Sequence, residues 1–202
     1  MVFTEQGGMT MGYRGIGRFK PRRDKLSRRF VSERNGSTAI EFAMLAIPFS
    51  LLVFAILESC ISFAGQEVMA NATDSVARQL RTGQLPSSVD KTQLKQLICD
   101  KMEVMVAKGC PGLMVDLRHF GTFTDAAQAG YRIANGEIQL TQGSNETSFK
   151  VDPGPASSKN MLRVFYKWPV ITDFLSKSMS DLKDGKALHF ASVTWQNEPF
   201  DN

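Results

Sequence analysis

Residues 39–64, AIEFAMLAIPFSLLVFAILESCISFA, decide how the rest of the chain is read. Between Phe42 and Leu57 only Pro48 and Ser50 interrupt the apolar character, and the charges are Glu41 near the start and Glu58 near the far end. A helix of about 20 largely apolar residues crosses a bilayer core of ~30 Å. The core helix of a soluble domain carries a polar stripe, and 42–57 has none. The stretch predicts a membrane-inserted helix. Pro48 removes one backbone donor and frees the carbonyl of Met44, which predicts a modest kink of a kind membrane helices tolerate.

The flanks set the orientation. Residues 17–36 hold eight Lys/Arg, whereas 65–84 hold only Arg78 and Arg81. Cationic flanks stay on the cytoplasmic side during insertion, so the N-terminus is expected inside and residues beyond about 62 outside. The same cluster explains the basicity of the chain. Its formal charge of +4 comes from a net +6 over residues 1–36 and a net −2 over the remainder. A basic tail beside a bilayer is drawn to anionic headgroups, so the pI near 9.0 needs no nucleic acid.

With 202 residues, 43% of them hydrophobic, the chain has room for one ordinary domain beside the anchor, and a wholly disordered protein is excluded. Three cysteines and two histidines form neither C-x-x-C nor H-E-x-x-H, so metal and thioredoxin-type chemistry have no motif. Gly12, Gly15 and Gly17 follow no strand and make no phosphate loop. No cofactor and no small-molecule substrate are expected. His119 and His189 fall on two separate proposed strands and are expected to pack or lie at the surface, not to catalyse.

Past the membrane the pattern changes. Val68, Ala72, Val76 and Leu80 recur every four residues, with Met69, Thr73 and Ala77 beside them, which is amphipathic helical spacing. Gly83 and Pro86 end it. A helix from 39 to 82 would be about 66 Å long and lead from the membrane to a globular head. In that head, Asp90 is placed to cap a helix through Leu94, Leu97, Ile98 and on toward Met102 and Met105. Residues 113–124, 161–170 and 187–196 read as strands, the last with His189, Ala191, Val193 and Trp195 on one face. Residues 141–160 read as loop and 171–182 as a short helix. The expected fold class is α+β, an antiparallel sheet packed on the long helix. The expected divisions are a basic leader 1–36, a transmembrane helix 37–64, its extension 65–83 and a head 84–202.

Processing signals separate the functional readings. Ser62-Phe63-Ala64 offers a signal-peptidase site that would release a secreted protein at Gly65. Cys60 offers a lipoprotein site, but Glu58 just before it fits badly. The third signal lies on the basic side. Cations, then Gly36-Ser37-Thr38-Ala39-Ile40-Glu41-Phe42, then an apolar helix, resemble a type IV prepilin junction. More widely, GSTAIEFAMLAIPF before a long helix is similar to the TadE-like family of minor pseudopilins, which serve Flp (tight adherence) pili of bacteria. Trp195-Gln196-Asn197-Glu198-Pro199-Phe200 resembles the closing motif of that family, and Tyr166-Lys167-Trp168-Pro169 also looks like it.

The resemblance implies a non-enzymatic protein of the bacterial inner membrane, with a cytoplasmic N-terminus and a periplasmic or extracellular head. It implies cleavage by a prepilin peptidase between Gly36 and Ser37, which leaves Glu41 fifth in the mature chain with Phe42 beside it. In that family the Glu registers an incoming subunit against a neighbour's amine. Implied partners are the lipid bilayer, the peptidase, the major Flp pilin, a sister pseudopilin and the pilus platform proteins. A Cys99–Cys110 disulfide is implied as well, and an oxidising compartment favours it. It requires the helix from 90 to end near Lys101, since an unbroken helix to 108 would hold Cys99 ~13 Å from its end. A membrane-anchored binding or adhesion module without a pilus role stays open, as does a secreted enzyme released at Ala64.

Overall fold

A computed structural model describes residues 36–86, 88–172 and 180–199. Two units divide the chain, Met1–Phe49 and Ser50–Asn202. The main feature is α1 (Ser37–Arg81), 45 residues long, which continues through Pro48. From Thr38 to Leu57 no side chain of this helix is buried.

The second unit is a layered head. Behind α1 come α2 (Lys91–Met102), β1 (Leu113–Phe120), α3 (Phe123–Ala127), β2 (Ala129–Ala134), β3 (Glu137–Gln142), β4 (Asn145–Thr147), β5 (Lys159–Pro169) and β6 (Lys186–Gln196). The strands make two antiparallel sheets, ordered β1-β5-β6 and β2-β3-β4. In the larger sheet Val115 faces Val164, which faces Ala191 on the other side. This is the expected α+β architecture, a long apolar helix followed by a head with antiparallel sheets.

Alternation along β5 explains the layers, because successive side chains point to opposite faces. Leu162, Val164, Tyr166 and Trp168 join the core with Met69, Val76 and Leu80 of α1 and Leu94, Ile98 and Met102 of α2. Each such fully buried aliphatic side chain contributes roughly 1.5–3 kcal/mol. The odd-numbered residues face the smaller sheet. There Phe165 meets Tyr131, Phe149 and Phe190 at ring distances of 5.2, 5.7 and 4.8 Å.

Helix α2 starts where its cap places it. The Asp90 carboxylate accepts the Gln93 amide at 2.7 Å, and the Gln93 side chain accepts the Asp90 amide in return. The helix ends at Met102, so Met105 lies beyond it in a turn. Cys99 and Cys110 are joined, with Cα atoms 5.7 Å apart.

Three features differ from expectation. The 129–147 region, given no strands from sequence, holds the smaller sheet, and β4 lies inside the stretch read as loop. Its first turn is Asn135-Gly136, both with positive φ, between paired strands. The helix expected over 171–182 falls mostly outside the described residues; Ile171, Thr172 and 180–182 are not helical. The strand expected over 113–124 stops at Phe120, and Phe123 begins the short α3, capped by Thr122.

Candidate functional site

The sequence-expected site residues lie at the start of α1. Helix begins at Ser37, directly after Gly36. A Cβ on Gly36 would meet nothing within 4 Å, so no packing among the described residues asks for glycine there. Glu41 is exposed, one turn into the helix, and Phe42 beside it is 74% exposed. Pro48 is exposed as well.

A second group was not anticipated, where the head meets α1. Burial along the helix starts at Glu58 and recurs at Ser62, Gly65, Met69, Ala72 and Val76, alternating steps of four and three. The stripe thus opens with two polar side chains and a glycine, and each has a partner in the head. Glu58 accepts the backbone amides of Ile171 and Thr172 and the Thr172 hydroxyl, fixing the chain just after β5. Ser62 Oγ lies 3.0 Å from His189 Nε2 on β6. At Gly65 a Cβ would run into the Trp168 ring, so the indole lies directly on the helix backbone. Trp168 stacks on His189 at 4.7 Å, and Gln66 donates to the Phe190 carbonyl at 2.8 Å.

Burial pushes His189 down to about 4, so the ring is neutral at pH 7. Its Nδ1 is buried without a hydrogen-bond partner among the described residues. The tautomer with the proton on Nε2, donated to Ser62 Oγ, leaves no ring N–H unmet. His119 differs: it is half-exposed and lies 3.3 Å from the Asp152 carboxylate. A hydrogen bond from Lys150, with His119 nearby, holds that carboxyl below its usual range. Both histidines therefore have structural explanations.

On the far face of the larger sheet a charge is fully buried. Asp116 accepts from Arg163 at 2.7 Å, from Arg118 at 3.0 Å and from the Lys150 amide at 3.0 Å. Arg163 also donates to the Gly130 carbonyl and Arg118 to that of Ser148, which fastens the smaller sheet to the larger. The two arginines satisfy the carboxylate, so this is a clamp and not an open site. Among the described residues no group of three or more His, Cys, Asp or Glu could hold a metal ion.

The closing segment is tied down in a similar way. Trp195 Nε1 donates to Asn197 Oδ1 at 2.8 Å, Asn197 Nδ2 donates to the Gly154 carbonyl at 3.0 Å, and the Glu198 amide reaches the Arg81 carbonyl.

One helix among the described residues, Thr38–Arg81, is long and apolar enough to cross a membrane, and no residue of its most apolar window is buried. Helix and head together define a class: an α+β domain carried on one N-terminal helix fit to anchor it in a membrane. Comparison with known families narrows that class. Residues 36–78 match the family model described as TadE-like protein, the family that the junction at Gly36 resembles. The family is one of pilus components. No curated protein and no solved structure matches the chain.

Proposed function

We propose that this chain is a minor pseudopilin of Flp (type IVb) pilus assembly. It is held in the bacterial inner membrane by one helix, with its N-terminus cytoplasmic and its head outside. It works through contacts with the major pilin, a sister pseudopilin and platform proteins, not through catalysis. A prepilin peptidase cuts between Gly36 and Ser37. The new amine and Glu41 then set the register of the subunit against a neighbour, with Phe42 alongside.

The observation that carries this reading is a coincidence at one point of the chain. Gly36 directly precedes the α-helix, no packing among the described residues requires glycine there, Glu41 stands fifth from Ser37, and the family match begins at residue 36. Burial supports the anchor. Residues 37–57 precede the first head contact, and 21 residues at ~1.5 Å each span about the ~30 Å of a bilayer core. A carboxylate in that layer costs roughly 2.5–3.5 kcal/mol at mid-helix, a cost that pairing with an amine offsets.

N-terminal sequencing of membrane-extracted protein, from cells with and without the prepilin peptidase, tests the reading. A Ser37 start that depends on the peptidase supports it. Met1 in both strains would favour an anchored binding module, and a soluble form from Gly65 a secreted protein. In processed protein, Glu41→Gln is expected to abolish piliation; normal pili would remove the register role.

A further inference from the structure

The head holds a cavity of about 330 Å³, within the ~300–1,000 Å³ range of ligand sites. It is lined by Ile61 of α1, by Met105 and Val106 of the turn after α2, and by Trp168, Pro169 and Ile171 at the end of β5. Apolar side chains continue outward from it. Ile171 is 77% exposed, and Val104, next to Met105, is 76% exposed. Glu58 also lines the cavity, but its oxygens are engaged by Ile171 and Thr172.

From these residues we infer that the cavity takes an acyl chain of a membrane phospholipid and that the 103–107 turn dips into the same leaflet. The inference rests on the membrane-anchor part of the proposed function. Residues 51–57 of α1, all apolar and none buried, come directly before Glu58 and Ile61. If lipid surrounds the former, the latter lie where acyl chains meet headgroups. Charge agrees. Lys101 and Lys108 flank the turn, and Lys167 and Lys186 line the cavity, sharing Asp184 at 3.8 and 3.4 Å. These ammonium groups suit a lipid phosphate, since cations beside an anionic headgroup are attracted to it. Val104 to Ala107 are all apolar and lysines edge them, while Glu103 turns its carboxylate to the Gly109 amide; that is a composition suited to an interface.

The chain carries its own probe and control. Its only tryptophans are Trp168, at the cavity, and Trp195, which lies beside Leu80, ~28 Å along the helix from Ile61. The full chain, as the single-tryptophan variants Trp195→Phe and Trp168→Phe, is reconstituted into phosphatidylcholine–phosphatidylglycerol vesicles with plain or acyl-brominated chains. Incorporation is checked by flotation. Trp168 emission is expected to fall by about half in brominated vesicles, because a pocket surrounds most of its ligand. Trp195 emission should stay unchanged. Filling the cavity with Ala107→Phe should restore most of the Trp168 emission. Floating protein whose Trp168 ignores bromine, or whose quenching survives Ala107→Phe, overturns the lipid site and leaves the anchor standing. Protein that does not float overturns both.

Discussion

From Ile40 to Leu57, apolar side chains cover every face of α1 and none is buried, whereas from Glu58 to Leu80 the same helix buries one narrow stripe under the head. The two halves are continuous in backbone and opposite in pattern. A helix apolar all round is matched to a surrounding that is itself apolar; a helix with one apolar stripe is matched to a single packed neighbour. The change falls at Glu58, where a charge that looks misplaced in a membrane span becomes the first head contact.

Substitutions on either side should therefore differ sharply. Met69→Ala, in the middle of the buried stripe, is expected to cost about 3–5 kcal/mol through transfer and cavity terms. Urea unfolding of the detergent-solubilised chain would show it, and a loss comparable to that of an exposed residue would break the contrast. Next comes the fastening of α2, which shares its core with that stripe. Replacing Cys99 and Cys110 together by Ser is expected to remove about 3 kcal/mol, since the bond closes a short loop. Melting of the reduced wild-type chain should then coincide with that of the double variant.

Acidification probes the polar start of the stripe. His189 titrates near 4 in the folded head and at its ordinary value near 6.5 when unfolded, so the unfolded chain binds the extra proton first. Stability is full above about 6.5, falls as the pH drops through that interval, and is lowest below about 4. The expected loss is roughly 3 kcal/mol, from a lowering of about 2.5 pH units at about 1.4 kcal/mol each. His189→Gln should flatten that part of the pH–stability curve; an unchanged slope would assign it to other groups. The smallest effect belongs to the membrane half. Leu52→Ala, at a 58% exposed position, should shift head stability by no more than about 0.5 kcal/mol in the same urea assay.

The sequence made some of this architecture legible and hid the rest for physical reasons. The apolar run, the stripe through Met69, Ala72, Val76 and Leu80 and the Asp90 cap each rest on a local rule with strong periodicity or a fixed offset, and each is present in the structure, although Val68 at the start of the expected stripe is only half-buried. The three long strands were legible because β6 alternates cleanly, burying Ala187, His189, Ala191 and Trp195. The smaller sheet was not, because its strands are short, polar and mostly uncovered. Asn135-Gly136 was its one strong signal, a dipeptide suited to two successive positive φ values in a hairpin. Nothing local in the sequence marks Asp116, Arg118 and Arg163 as interior; only the packing of a second layer buries them. Glu58 and Gly65 were weighed as parts of a cleavage signal, and their partners Thr172 and Trp168 lie more than a hundred residues away, beyond the reach of any local pattern.

The contacts between Ser62 and His189, and between Gln66 and Phe190, join residues separated by 127 and 124 positions. The final strand is thus the one that closes over the earliest part of the head, and it is the last to be synthesised. Until β6 emerges, Ser62 and Gln66 lack these partners and the core lacks the face that β6 brings to it. A chain interrupted before β6 leaves His189, Ala191 and Trp195 absent from the core, and quality control would meet an anchored stem with an unfinished head.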